Sequence, residues 1–248
     1  MRPSDPSGAS SVEREVIVLA GGDAFRPRLV RPLVTGAQVI AADGGLALAA
    51  GLGLAVDLVV GDLDSVDPTQ LADAARAGTR IERHPVDKDR TDLAIALDAA
   101  AADGPARVTV IGGHGGRLDH LLAGTMLLAS PAYASLSITA LMGPAIVTVI
   151  HDAAHLAGEP GELLSLVPVH GMVTGVTTRG LRFPLTDGEL PAGSSRGVSN
   201  VFTEPIAHVR RSAGVLLAIQ PGEPAPTDHD RPDDDPDDVA DDDGVARR

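Results

Sequence analysis

Residues 38–65 read QVIAADGGLALAAGLGLAVDLVVGDLDS, and the order of patterns within them decides the fold. Residues 38–42 form a branched, apolar run of strand length; residues 45–50 follow with Ala and Leu at helical spacing; residues 57–60 return to a Val-rich run. The same alternation extends outward on both sides. Strand-like runs at 16–20, 79–83 and 107–111 are mostly separated by helical segments at 68–77, 91–102 and 118–129. Strand and helix in this order predict parallel strands joined by crossovers, with both sheet faces covered. Residues 15–142 are therefore expected to form an α/β, Rossmann-like parallel-sheet domain. From about Leu141 the texture changes to Val/Thr/Gly-rich runs with frequent turn signals, at 146–150, 163–167, 172–178 and 215–219. Residues 143–220 are expected to form a smaller all-β, sandwich-like domain.

The whole chain has 248 residues, 44% of them hydrophobic, enough for a buried core. It has no cysteine, which excludes disulfides, thiolate metal sites and a cysteine nucleophile. Aromatic residues make up 2% of the chain and the formal charge is −14, a composition that argues against nucleic-acid binding. Residues 221–248 hold eleven acids against three Arg and almost nothing apolar, so they read as a disordered acidic tail. Residues 1–14 read as a loose N-terminus. No apolar run is long enough to cross a membrane, and the first fourteen residues lack a signal-peptide core, so a cytoplasmic protein without membrane contact is expected.

In an open parallel sheet, ligands gather beyond the carboxyl ends of the strands. The polar residues expected there are Asp43 and Gly44 after the second strand, Asp62, Asp64 and Ser65 after the third, and Lys88, Asp89, Thr91 and Asp92 after the fourth. After the fifth come Gly113, Gly116, Arg117, Asp119 and His120. A single Asp at a strand end equally serves as a helix cap or turn former. Six Asp on one edge, however, repel one another unless a cation sits among them, and carboxylate oxygens with phosphate suit Mg2+. The glycine cluster at 112–116 can bring backbone N–H groups and a helix N-terminus to phosphate, but no Walker A sequence follows it. Lys88 is the only lysine among twenty basic residues, which points to a need for a compact ammonium. The pair His151 and His155 mimics a zinc-binding helix motif but sits among strand and turn signals, and Asp62, Asp64 and Asp67 mimic a calcium loop without its glycine.

Taken together, Asp43-Gly44-Gly45, the run 61–65 (GDLDS), the run 87–92 (DKDRTD), the run 115–120 (GGRLDH), the run 180–185 (GLRFPL) and Ser199-Asn200 resemble the bacterial thiamine pyrophosphokinase family, over about residues 16–219. The resemblance implies transfer of the diphosphate of ATP to the hydroxyl of thiamine. It further implies a homodimer with each active site between subunits. Asp62, Asp64 and Asp92 would hold Mg2+ and diphosphate, Asp43, Arg117 and Asp119 would lie around the nucleotide and metal, and Ser199 and Asn200 would meet thiamine from the partner. Lys88 and Arg117 would offset developing charge, and Asp89 or Asp92, or else water or phosphate, would take the hydroxyl proton. Animal relatives place a thiamine-stacking Trp shortly after the Ser-Asn pair; this chain has no Trp, and Phe202 is the aromatic residue close by. The alternatives are a pyrophosphokinase acting on a pterin alcohol, a silent nucleotide-binding module, or a phosphohydrolase using the same aspartates.

Overall fold

The computed structural model describes residues 14–22 and 36–222, so the segments 1–13 and 223–248, where disorder is expected, lie outside the described residues. Arg14, counted above with the loose N-terminus, instead opens the first strand. The parallel strands are β1 (Arg14–Leu19), β2 (Gln38–Ala42), β3 (Leu58–Gly61), β4 (Arg80–Arg83), β5 (Ala106–Ile111) and β6 (Leu136–Met142). Helices α1 (Gly45–Leu52), α2 (Pro68–Arg76), α3 (Asp92–Ala101) and α4 (Leu118–Leu128) connect them from β2 onward.

Alternation along β1 explains why both faces are covered. Val16 and Val18 point into one core with Leu97 of α3 and Leu128 of α4, while Ile17 and Leu19 point into another with Leu46 of α1 and Leu71 of α2. Helix starts are set by short polar side chains. Asp67 caps α2 by accepting from the Thr69 N–H at 2.6 Å, with Pro68 in the first turn, and Thr91 caps α3 by accepting from the Ala94 N–H at 3.2 Å. Asp67 is thus a helix cap and not part of a metal loop.

The strand-rich half does not begin a separate sheet. β6, parallel to β5, turns at Gly143 into antiparallel β7 (Ala145–Ile150), and the sheet continues through β13 (Ala213–Gln220), β9 (Leu163–Arg179), β12 (Ile206–Arg210) and β8 (Ala153–Ala157). The order is β4-β3-β2-β1-β5-β6-β7-β13-β9-β12-β8, with β10 (Gly188–Leu190) and β11 (Asn200–Val201) paired to β9. The observed architecture is a large mixed sheet with helices on both faces of its parallel part. The runs at 163–167 and 172–178 prove to be one 17-residue strand, β9, whose pairing shifts where His170 and Gly171 take positive φ. A third core, fed from both sides of that shift, gathers Ile150, Leu164, Val176, Phe202 and Leu216. His170 also lies 3.0 Å from the Met126 carbonyl, tying β9 to the end of α4.

Gly45 sets how closely α1 approaches β1, because a Cβ there would lie 2.0 Å from the Leu19 carbonyl oxygen, whereas one at Gly51 of the same helix would meet nothing within 4 Å. Gly45→Ala is expected to cost about 1–3 kcal/mol through forced backbone movement, and Gly51→Ala to be neutral or stabilising. Thermal melting of the two variants checks this; equal melting temperatures would refute the close-approach account.

Candidate active site

Every parallel strand from β2 to β5 delivers polar residues to the same sheet edge. Asp43 leaves β2 in the left-handed region (φ 44) and is held there by its N–H donating to the Val60 carbonyl at 2.9 Å. Its carboxylate accepts from the Ser65 hydroxyl at 2.5 Å, while its other oxygen, Oδ1, is buried without a hydrogen-bond partner. Asp62 follows β3, and Asp92 opens α3. One carboxylate oxygen from each of Asp43, Asp62 and Asp92 lies within 4.8 Å of the other two. Gly61 makes this approach possible, since a Cβ there would come 3.1 Å from Asp92 Oδ1 and 3.3 Å from the Asp43 Cβ.

Lys88 closes the group. Its ammonium sits 3.0 Å from Asp62 Oδ2 and 3.0 Å from Asp92 Oδ1, with only 14% of the side chain exposed. Asp92 Oδ1 meets it as an ion pair without hydrogen-bond geometry. Burial alone would lower the Lys88 pKa, but the carboxylates of Asp92 and Asp62 outweigh it and hold the ammonium above its ordinary value. The Lys88 bond, with the Asp64 N–H, holds Asp62 below the usual carboxylate range. Asp64 moves the other way, raised first by the Asp62 charge and further by Asp43 and Asp92.

The metal set expected from the sequence was Asp62, Asp64 and Asp92; the tight group contains Asp43 in place of Asp64, which stands exposed beside it. Three converging carboxylates and an orphaned buried oxygen on Asp43 form a hard-oxygen donor set that fits Mg2+. Asp89 is exposed and makes no side-chain hydrogen bond or ion pair among the described residues. Thr91 caps α3, and Gly44 occupies the corresponding position of α1.

In the glycine loop after β5, the Gly112 N–H donates to the Leu141 carbonyl at 3.0 Å and the Gly113 N–H to the Gly21 carbonyl at 2.6 Å, so these two amides are engaged within the protein. Gly21 and Gly22, missed in the sequence, bring the loop after β1 against this one; the signal was a glycine pair directly after an apolar run. Gly116 and His120 are exposed at the start of α4. Arg117 reaches Asp119 through two bonds, 3.1 and 2.6 Å, with both side chains largely in solvent.

The expected thiamine-side residues lie in the strand-rich half. Ser199 is exposed with φ 58 and its N–H donates to the Ser165 hydroxyl at 3.1 Å. Asn200 is buried, its Oδ1 accepting from the N–H groups of Phe183 and Val201 and its Nδ2 donating to the Phe183 carbonyl. Phe202 is 1% exposed, packed under Gly158, and cannot present its ring to a ligand. The two histidines of the zinc-like pattern lie apart from a helix: His151 is in a turn, and His155 is on β8 against His208 at 4.4 Å between ring centroids.

Two family models match the chain: the catalytic domain of thiamin pyrophosphokinase over residues 32–140, and the vitamin B1 binding domain of thiamin pyrophosphokinase over residues 151–216. A thiamine pyrophosphokinase of Bacillus subtilis is 23% identical over 214 residues, covering 84% of this chain and 98% of the relative. The crystal structure of thiamine pyrophosphokinase from Bacillus subtilis superposes with a TM-score of 0.75 at 22% identity, covering 85% of this chain and 100% of that one. A thiamin pyrophosphokinase family protein from Enterococcus faecalis gives 0.70 at 26% identity over 85% of this chain and 100% of that one. The yeast thiamin pyrophosphokinase gives 0.66 at 14% identity over 86% and 87%. With both domain models matched in order, and with the strand-end carboxylates inside the first of them, this chain belongs to the thiamin pyrophosphokinase family.

Proposed function

We propose that this protein is a thiamine diphosphokinase, transferring the diphosphate of ATP to the hydroxyl of thiamine and releasing AMP. The observation that carries the reading is the convergence of Asp43, Asp62 and Asp92 around Lys88, in a chain whose strand-rich half matches the vitamin B1 binding model. On this reading residues 15–142 act as a Rossmann-like nucleotide- and metal-binding unit and residues 143–220 as the thiamine-binding unit.

Attack of a primary alcohol on the β-phosphorus, with AMP leaving, requires alignment and charge neutralisation more than covalent help. Mg2+ held by Asp43, Asp62 and Asp92 would supply a positive centre for the phosphate oxygens, with Asp64 adding negative charge beside it. Lys88 balances the carboxylates before substrate arrives and, with Mg2+ held among them, would be free to pair with a phosphate oxygen. Asp92 is a poor base while paired with Lys88, and would be poorer still as a metal ligand. Asp89, exposed and without a side-chain ion pair among the described residues, is on this reading the carboxylate that takes the hydroxyl proton.

The reading includes a homodimer in a cytoplasmic setting. Leu118, Leu122 and Met126 expose an apolar stripe at helical spacing on α4, and exposed Met172 lies on the β9 segment tied to it through His170. A second copy of the chain covering this stripe accounts for its exposure. Among the described residues no helix is long and apolar enough to cross a membrane.

Purified protein with ATP, magnesium and thiamine is expected to form AMP and thiamine diphosphate in equal amounts. Asp62→Asn or a metal chelator should lower the rate at least about a hundredfold, with the melting temperature of the Asn variant close to wild type. Phosphate release without thiamine would favour a phosphohydrolase, and product from a pterin alcohol alone would move the acceptor.

Arg117 can reach a phosphate only by leaving Asp119. The guanidinium holds the Asp119 carboxyl down to about 2. Because the folded pKa lies below the unfolded one, the pair's contribution to folding is present above about pH 4 and is lost as pH falls toward 2; exposure keeps it small. A carbon-13 titration should place the Asp119 midpoint near 2 in the free protein, and near the ordinary value of about 4 in Arg117→Gln. An unchanged midpoint in the variant would dissolve the pair.

A further inference from the structure

The far end of the sheet carries an outer face that the transfer reaction does not use. Along β12 the alternation is strict: Ala207 and Val209 are buried in the third core, so Ile206, His208 and Arg210 point away from it. On β8, Leu156 enters the same core and His155 stays outside; on β9, Thr178 is buried and Arg179 exposed. The strand register sets these outward residues side by side. His208 stands opposite His155 on one neighbour and opposite Arg179 on the other, and Arg210 stands opposite Ala153 and Thr177. The two imidazoles meet edge to face at 4.4 Å between ring centroids. Together, His155, His208, Arg179, Arg210, Thr177 and Glu204 border a cavity of about 670 Å³, which shares no lining residue with the carboxylate group at the ends of β2 and β3.

Charge and spacing give the ligand's chemistry. Arg179 and Arg210 make no side-chain hydrogen bond or ion pair among the described residues, and His155 and His208 touch only each other. Glu204 is the single carboxylate in the lining, against two guanidinium groups. Cations left uncompensated around a concave surface attract an anion. The two Arg are diagonal neighbours on adjacent strands, with backbones about 7–8 Å apart. Each guanidinium fork can therefore take the oxygens of one phosphate when two phosphates are linked. Further donors stand beside them: both imidazoles, and Thr177, whose Oγ1 accepts from the Asp187 N–H at 3.2 Å and whose O–H is left to donate. A metal ion bridging the imidazoles would instead have Arg179 and Arg210 as neighbours of like charge.

We propose that this face is a second anion site, separate from the carboxylate edge, which takes the diphosphate group of a small phosphorylated molecule. Arg179 and Arg210 hold one phosphate each, with His155, His208 and Thr177 as neutral donors around them. Binding there involves neither the clustered carboxylates nor a metal, so it is independent of the transfer reaction.

The test titrates the full-length protein with inorganic diphosphate, ADP and thiamine diphosphate in the presence of a chelator, which keeps metal from drawing these ligands to Asp43, Asp62 and Asp92. Calorimetry reads affinity, and histidine-ring NMR reads location, with the two resonances assigned through His155→Gln and His208→Gln. The His155 and His208 resonances are expected to shift together at one ligand per chain. The double variant Arg179→Gln/Arg210→Gln should weaken binding at least about tenfold, from loss of charge-assisted hydrogen bonds, and should melt near wild type because both side chains are exposed. Equal affinity for the three ligands would show that the diphosphate group alone is read, and tighter binding of one would name its source; either result supports the site. Binding that survives Arg179→Gln/Arg210→Gln but is lost in Asp62→Asn would place the ligand at the carboxylate edge and overturn it. So would the absence of binding by all three ligands, or a shift of the two rings with Zn2+ and not with diphosphate.

Discussion

Carboxylates gathered at one sheet edge require a cation among them, and the Lys88 ammonium between Asp62 and Asp92 meets that requirement in the protein without substrate. The surrounding local structure serves the same end. Asp43 accepts a left-handed backbone to reach the group, and Gly61 gives up a side chain so that Asp43 and Asp92 can approach. The electrostatic consequences spread outward: Asp62 is drawn below its ordinary pKa by Lys88, and Asp64 is pushed up by the charge on Asp62. A lysine suits this position because its ammonium is a compact charge on a flexible stem, able to face two carboxylates at once. Arginine elsewhere in the chain forms planar, directional pairs such as Arg117 with Asp119.

The sheet's continuity is the second constraint. Because β6 pairs parallel with β5 and antiparallel with β7, the strand-rich half is attached through backbone hydrogen bonds and not through a linker. The bend in β9 at His170 and Gly171 shifts its pairing with β13 between Val169 and Thr174, and residues on both sides of it, Leu164 and Val176, reach the third core. Val169 and Leu217 belong to the core under the helices, whereas Leu216 and Val176 belong to the other, so the two halves share strands while packing on opposite sides.

The sequence showed most of the parallel part, because strands such as β2 and β3 are branched, apolar and buried on both faces, and the segments between them are Ala/Leu-rich. It did not show β6, β8 or β12. In β8 the run is Ala-Ala-His-Leu-Ala, whose pairing depends on partners far along the chain and not on its own propensity. The site was legible where residue type and strand end coincide, at Asp62, Lys88 and Asp92. It was not legible where backbone geometry decides. Whether Asp43 or Asp64 joins the tight group turns on φ at Asp43 and on the space left by Gly61, and whether the amides of Gly112 and Gly113 are free turns on Gly21 and Leu141.

The same limit governs the thiamine side. Ser199 and Asn200 are adjacent in sequence, yet positive φ at Ser199 leaves one exposed while the other turns into the structure to hold Phe183. Aromatic residues are so scarce in this chain that their burial carries information: among the described residues Phe202 fills the core of the strand-rich half, and the Phe left in solvent is the one anchored by a buried amide. An exposed ring on an unanchored loop would lose conformational freedom whenever it bound a ligand. Anchoring the backbone at Phe183 removes much of that loss in advance.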